Sequence, residues 1–147
     1  QMITEALAAF EPLHNRSHWQ TCGPFRVLLD AYNANPSSVA EVLTNLQPFI
    51  GQGVALILGD MLELGEDAPA LHRAVGKQVA ALQPAVFIGV GPLMRYAVDA
   101  APGAYWAPDV QALAPDLAQR LAGCAIVVLK GSRSVRLEQA LSYLSGS

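Results

Sequence analysis

Three polar clusters in this sequence each follow an apolar run and carry side chains that could bind a ligand. They occupy residues 30–36, 59–65 and 130–133. In a parallel α/β sheet the carboxyl ends of the strands meet along one edge, and ligands bind there. The spacing therefore predicts one composite site, whose candidate residues are Asp30, Tyr32, Asn33, Asp60, Glu63, Lys130, Ser132 and Arg133.

The first cluster offers groups suited to a nucleotide. Asp30 ends an apolar run, where a carboxylate could accept hydrogen bonds from ribose hydroxyls, as in dinucleotide-binding folds. Tyr32 and Asn33 could frame a base or a phosphate. A simple turn is the alternative, because Asp and Asn favour turns and caps. Asn35 and Pro36 are explained by a helix start alone.

The third cluster offers donors suited to an anion. Residues 130–133 read Lys-Gly-Ser-Arg and stand between a predicted strand and the N-terminus of a predicted helix, a position that favours anions. Lys130, Ser132 and Arg133 would add hydrogen bonds to a carboxylate or phosphate. The alternative is a solvated loop, and two cations beside a glycine favour anion binding over it.

The second cluster is acidic and less specific. Asp60 and Glu63 could hold an ammonium group or orient a metal ion, or they could be surface carboxylates near a helix start. His72 lies on the following predicted helix, where a single histidine is more often structural than catalytic. His14 and His18 are four residues apart, but no other ligand accompanies them, so we reject a zinc site.

Composition and missing motifs exclude several function classes. The chain has 147 residues, nine Lys and Arg residues and a net charge of −3, which provides no positive field for nucleic acid. It lacks an apolar stretch of membrane-spanning length, a GxxxxGK[ST] loop and a complete dinucleotide fingerprint. Of the two cysteines, Cys124 is predicted to be a buried free thiol, which favours a reducing, cytoplasmic location.

The apolar pattern predicts the elements that position these clusters. A hairpin of 19–22 and 25–29 is followed by strands at 54–58, 85–88, 105–106 and 125–129. Helices are predicted at 36–46, 69–82, 92–99, 109–121 (interrupted by Pro115) and 134–144, and residues 2–10 resemble the end of another helix. We therefore predict an α/β fold: a three-layer Rossmann-like domain with a mostly parallel sheet, an N-terminal hairpin or antiparallel edge, and helices on both faces.

Taken together, these segments resemble the C-terminal domain of the Mur ligases. The resemblance rests on residues 30–36, on residues 58–65 with His72 downstream, and on residues 130–133 with Leu137 and Glu138, and it spans nearly the whole chain. Leu29 departs from the family pattern, which often has a second acidic residue there, and Ala31 replaces the usual serine. Neither departure removes Asp30.

The resemblance implies an ATP-dependent amide ligase of three domains that adds D-alanyl-D-alanine to UDP-N-acetylmuramoyl-tripeptide in peptidoglycan synthesis. The central domain would carry the P-loop and most of the Mg²⁺ coordination, and the first domain would hold the UDP-sugar. This chain would close over ATP and present the dipeptide. Residues 1–13 would be the tail of the central domain and a linker, and residues 14–147 the C-terminal domain. No catalytic residue is assigned to this chain, which lacks the P-loop and should be inactive alone.

The resemblance also implies roles for individual residues. Arg16 would reach the nucleotide from the linker, Asp30 would hold its ribose, and Tyr32 and Asn33 would line the nucleotide side. The cationic cluster of Lys130, Ser132 and Arg133 would face the dipeptide carboxylate or the acyl phosphate, and by charge complementarity Asp60 or Glu63 would suit the dipeptide amine. The alternatives are a non-catalytic module that binds a nucleotide or peptide, and an unrelated α/β nucleotide-binding protein.

Overall fold

The structure is a computed structural model, and it describes residues 18–31, 34–114 and 116–144. The sheet strands in these ranges are β1 (His18–Cys22), β2 (Phe25–Asp30), β3 (Val54–Gly59), β4 (Val86–Val90), β5 (Tyr105–Ala107) and β6 (Ile126–Lys130). The α-helices are α1 (Pro36–Leu46), α2 (Ala68–Leu82), α3 (Met94–Asp99), α4 (Leu117–Arg120) and α5 (Leu141–Leu144). The 3₁₀ turns are Gln47–Gln52, Gly65–Asp67, Val110–Leu113, Arg133–Val135 and Leu137–Ala140.

The strands form one sheet in the order β1-β2-β6-β3-β4-β5. β1 pairs antiparallel with β2, and every other pair is parallel, which confirms the predicted mostly parallel sheet with an N-terminal hairpin. The last strand in the chain, β6, lies between β2 and β3. This crossover places the third polar cluster between the first two, although the clusters are far apart in the sequence.

The core fills both faces of the sheet, because alternate residues of each buried strand point to opposite sides. On one face Leu28, Leu56 and Val128 pack with residues of α1, α2 and α3. On the other face the 3₁₀ turns Val110–Leu113 and Leu137–Ala140, with α4 and α5, cover residues such as Ile57. These two apolar layers confirm helices on both faces of the sheet.

The start of α1 follows directly from its sequence. The Asn35 side chain accepts the Ser38 N–H at 2.8 Å, and the Asn35 N–H donates to the Ser38 hydroxyl at 3.1 Å. Pro36 follows at the first helical position, where its missing N–H costs nothing. The predicted helix start at these residues is confirmed.

Other predicted boundaries are corrected. α3 begins at Met94, two residues after the predicted Pro92. The interruption predicted within 109–121 is confirmed, since a 3₁₀ turn (Val110–Leu113) and the short α4 replace one continuous helix. The continuous helix predicted at 134–144 is wrong. Arg136 has φ +60°, which breaks the helix and lets the next turn bury Leu137 and Ala140 against the sheet. The helix end predicted at residues 2–10 lies outside the described residues.

Within the described ranges, no helix combines the length and the apolar character needed to cross a bilayer.

Candidate functional site

The carboxyl ends of β2, β6 and β3 lie side by side and form the candidate site. Asp30 ends β2 and is the register partner of Lys130, which ends β6. Lys130 is in turn the register partner of Leu58 on β3, two residues before Asp60. The structure therefore brings one charged residue from each of the three predicted clusters to one edge.

Asp30 and Lys130 form a buried ion pair. The Lys130 Nζ donates to Asp30 Oδ2 at 2.7 Å, and the two side chains are 2% and 5% exposed for Lys130 and Asp30 respectively. The Gly131 N–H also donates to the Asp30 carbonyl oxygen at 3.2 Å. The sequence suggested these residues for two different ligands, whereas the structure joins them into one unit.

Asp60 is buried and bound to the backbone of the next loop. Its Oδ1 accepts the Met94 N–H at 2.9 Å, at the first residue of α3. Burial raises the pKa of this carboxyl above its ordinary value, and hydrogen bonds from the Leu93 and Met94 amides offset part of that rise. A buried carboxylate with these amide donors serves as a helix cap that comes from another strand.

Ser132 links the third cluster to the second. Its N–H donates to the Asp60 carbonyl oxygen at 3.2 Å, and its Oγ accepts the Leu62 N–H at 3.3 Å. The side chain is buried. Both bonds engage the backbone that follows β3, so Ser132 determines where that loop lies relative to β6.

His72 is completely buried and anchors the same loop from α2. Its Nε2 accepts the Met61 N–H at 3.0 Å, and its Nδ1 lies 2.7 Å from the Ala68 carbonyl oxygen. Because an amide N–H can only donate, Nε2 carries no proton, and Nδ1–H donates to Ala68. This arrangement supports the structural role predicted for His72.

Other candidates lie at the exposed rim of the site. Glu63 and Arg133 are exposed, and Leu62, between the buried Met61 and Glu63, is 41% exposed. Glu63 has φ +62°, a conformation that is unfavourable for a residue with a Cβ and is found more often at functional sites. Arg16, Tyr32 and Asn33 lie outside the described residues.

A cavity of about 250 Å³ opens beside these residues, between the segments that follow β3, β4, β5 and β6. Asp60 and Leu62 line it, together with residues that the sequence analysis did not single out: Gly91, Pro92, Pro108, Asp109, Val110, Gln111, Ser134, Val135 and Arg136. Gly91 and Pro92 follow a predicted strand, which was a usable signal. Arg136 gave no such signal, because the apolar pattern placed it inside a continuous helix, whereas the structure gives it φ +60°. A larger cavity, about 550 Å³, lies at the amino end of β4 and has an uncharged lining.

The described residues do not assemble a metal site. Within 18–31, 34–114 and 116–144, no three His, Cys, Asp or Glu side chains are grouped so that they could share an ion. Lys130 occupies one oxygen of Asp30, and backbone amides engage Asp60. Metal coordination by Asp60 or Glu63, one of the alternatives left open by the sequence, has no support in this geometry.

Comparison with known families decides the assignment. Residues 15–133 match the family model described as "Mur ligase, glutamate ligase domain", and this range includes all three polar clusters. The chain belongs to the Mur ligase family.

Its curated relatives include the UDP-N-acetylmuramoyl-tripeptide–D-alanyl-D-alanine ligases of Treponema pallidum and Escherichia coli. The first is 33% identical over 143 residues, which are 93% of this chain and 31% of that protein. The second is 33% identical over 122 residues, which are 80% and 26%.

Solved structures show that this Mur ligase domain has the fold found in related enzymes. A crystal structure of MurF from Acinetobacter baumannii matches with a TM-score of 0.80 and 22% identity, covering 93% of this chain and 31% of that one. The MurF ligase from Thermotoga maritima, crystallised in complex with ADP, matches with a TM-score of 0.73 and 24% identity, covering 95% and 32%. The Mur ligase domain described here thus spans about a third of the length of these proteins.

Proposed function

We propose that this chain is the C-terminal domain of a cytoplasmic, ATP-dependent ligase that adds D-alanyl-D-alanine to UDP-N-acetylmuramoyl-tripeptide in peptidoglycan synthesis. The observation that carries the proposal is the family match over residues 15–133, which includes every polar cluster that converges on one sheet edge. Curated relatives named for this activity at 33% identity, and a structural neighbour crystallised with ADP, add support.

The reaction requires two bond exchanges. The γ-phosphoryl group of ATP is transferred to the terminal carboxylate of the tripeptide, which gives an acyl phosphate and ADP. The amine of D-alanyl-D-alanine then attacks the acyl carbon, the amide bond forms, and inorganic phosphate and a proton leave. Mg²⁺ would neutralise charge on the phosphoryl group during transfer. This chain contains no GxxxxGK[ST] loop, so the proposal assigns the triphosphate and Mg²⁺ to the central domain of the same polypeptide.

In this proposal the chain closes the site and supplies ligand contacts from its carboxyl edge. Residues 1–13 belong to the central domain and a linker, and residues 14–147 form the closing domain. Asp30 accepts from the ribose hydroxyls, while Arg16, Tyr32 and Asn33 lie on the nucleotide side. Of the two acidic candidates, the exposed Glu63 suits the dipeptide amine better than Asp60, whose carboxylate already binds backbone amides.

The difference between exposed and buried side chains also favours Arg133 for the dipeptide carboxylate. Arg133 is exposed at the rim, whereas Lys130 is buried against Asp30 and Ser132 is buried with its hydroxyl on the Leu62 amide. A guanidinium can bind a carboxylate through two parallel hydrogen bonds, which gives orientation as well as affinity. Arg133 is therefore the residue of the third cluster best placed to select a peptide with a free C-terminus.

The test uses the full-length protein with UDP-N-acetylmuramoyl-tripeptide, ATP, Mg²⁺ and D-alanyl-D-alanine. We expect release of inorganic phosphate to require both peptide substrates, and mass spectrometry to find one pentapeptide product per phosphate. L-alanyl-L-alanine is the matched control for the dipeptide and should support little turnover. Nucleotide binding without formation of an amide product would refute the ligase and favour the non-catalytic binding module.

A further inference from the structure

Lys130 has an unusual environment for a residue first considered as an anchor for an anionic substrate. Its side chain is 2% exposed, and its ammonium is 2.7 Å from Asp30 Oδ2. Lysine is almost never this buried without a charge partner, because removing both ions from water is costly. Such a pair provides little net stability compared with apolar residues, so its presence calls for another explanation.

The position of the pair in the sheet suggests that explanation. Asp30 and Lys130 are register partners on β2 and β6, so their side chains lie on the same face of the sheet. Alternation along each strand places them on the face of Leu28 and Val128, which α1 and α2 cover. The pair thus lies at the end of the apolar core, where β2 leads into the first polar cluster (residues 30–36) and α1.

The contact limits what either residue can do alone. A lysine that binds a dipeptide carboxylate would have to leave Asp30, which would then be a buried, unpaired anion. Arg133, three residues further along, offers a cation that is exposed instead of buried. Conversely, an unpaired Asp30 beside a nucleotide would repel its phosphates, whereas the Asp30–Lys130 pair carries no net charge.

We propose that Lys130 is a positioning residue for the nucleotide and acts through Asp30, with no contact of its own to the dipeptide. The ammonium holds Oδ2, fixes the orientation of the carboxylate and offsets its charge, and Oδ1 then accepts a ribose hydroxyl. This inference rests on the function proposed above and deepens it by moving Lys130 from the dipeptide to the nucleotide side.

A double-mutant cycle in the full-length enzyme tests the coupling. The variants are Asp30→Asn, Lys130→Met and the double variant, with Lys77→Met as the matched control on the exposed surface of α2. We expect each single variant to raise the KM for ATP about tenfold, as loss of a charge-assisted hydrogen bond would. The KM for D-alanyl-D-alanine should change less than about twofold in the same variants. When Asp30 is already Asn, Lys130→Met should raise the KM for ATP by less than a further factor of about two, because the carboxylate that Lys130 orients is no longer present.

Lys130→Met alone leaves a buried carboxylate unpaired and could reduce folding. The double variant carries no unpaired charge, and its thermal midpoint should lie above that of Lys130→Met. Circular dichroism of every variant, and calorimetric titration with ADP, measure folding and nucleotide affinity independently of turnover. The affinity for ADP should fall by the same factor in both single variants and in the double variant.

Three results would overturn the inference. The first is a KM for ATP in the double variant equal to the product of the two single effects, and the second is an Asp30→Asn variant with unchanged nucleotide affinity. The third is a larger change in the KM for the dipeptide than in the KM for ATP after Lys130→Met. Failure of the ligase proposal gives a different pattern. The wild-type enzyme would then make no pentapeptide, while ADP titrations of the four proteins would still show one shared, non-additive loss.

Discussion

The carboxylate of Asp60 accepts the backbone N–H of Met94 at 2.9 Å, across 34 residues of sequence. Met94 is the first residue of α3, where amides lack partners within the helix. The residue that follows β3 therefore caps the helix that follows β4, and the two loops form one rigid corner of the site. The cavity that Asp60, Leu62 and Gly91 line depends on this corner.

Asp60 should make stability depend on pH in a direction set by its burial. Burial raises the pKa of its carboxyl in the folded state above the ordinary value of 3.8, so between these two pKa values Asp60 binds more protons in the folded protein than in the unfolded chain. Stability should therefore fall as the pH rises from 3.8 through the folded-state pKa, by about 1.4 kcal/mol for each unit between the two pKa values.

The comparison of wild type with Asp60→Asn isolates this effect, because asparagine keeps an acceptor for Met94 and does not titrate. Urea unfolding between pH 3.5 and 7 measures both proteins. The stability of the wild type relative to the variant should decrease with rising pH across the window. A constant or increasing difference would contradict the assigned burial of Asp60.

His72→Ala should destabilise the domain by about 3 kcal/mol. The substitution leaves the Met61 N–H and the Ala68 carbonyl oxygen without their buried partner and opens a cavity. Lys77→Ala, on the exposed side of the same helix, is the control and should change stability by less than about 0.5 kcal/mol. Chemical denaturation measures both variants.

The same contacts predict a proton position. ¹⁵N NMR of the imidazole should find the proton of neutral His72 on Nδ1. A proton on Nε2 would exclude the Met61 hydrogen bond.

Gly91→Ala should destabilise the domain more than Gly103→Ala, although both glycines have positive φ. A Cβ at Gly91 would lie 2.5 Å from the Asp60 carboxylate, while a Cβ at Gly103 meets nothing within 4 Å. We expect about 1–2 kcal/mol for Gly103→Ala, from the backbone alone, and more than about 3 kcal/mol for Gly91→Ala. Equal losses in urea unfolding would show that the Asp60 contact is unimportant.

Arg133→Ala in the full-length enzyme should raise the KM for D-alanyl-D-alanine about fivefold or more, with less than about twofold change in the KM for ATP. The reason is loss of a charge-assisted contact to the dipeptide carboxylate. Arg120→Ala is the control, because Arg120 ends α4 and precedes the amino end of β6. Equal losses for both substrates would remove Arg133 from the dipeptide site.

Local patterns explain which elements could be predicted from the sequence. Asn35 and Pro36 specify the start of α1 through interactions within four residues, and alternating or continuous apolar runs specify the strands. The segment after Lys130 could not be predicted in the same way, since its helical pattern was real but the chain instead turns at Arg136. That turn is favourable because Leu137 and Ala140 then pack against the sheet, a gain that no local pattern contains.

The contacts within the site also could not be predicted from local sequence patterns. The order of strands and polar loops predicted that Asp30, Asp60 and Lys130 share one edge. It did not predict that Lys130 binds Asp30, that Asp60 caps α3, or that His72 holds the Met61 amide. Each of these contacts depends on strand order and register, which are set by packing of the whole sheet.

By itself, the sequence determined the class of fold, the family and the set of polar residues at the site, because these depend on periodicity, residue type and spacing along the chain. Only the tertiary structure decided which of those residues face a ligand. Insertion of β6 between β2 and β3 buries Lys130 and Ser132 among protein partners and leaves Glu63 and Arg133 at the exposed rim. A buried charge must find its partner within the fold, so the roles of these side chains follow from long-range packing.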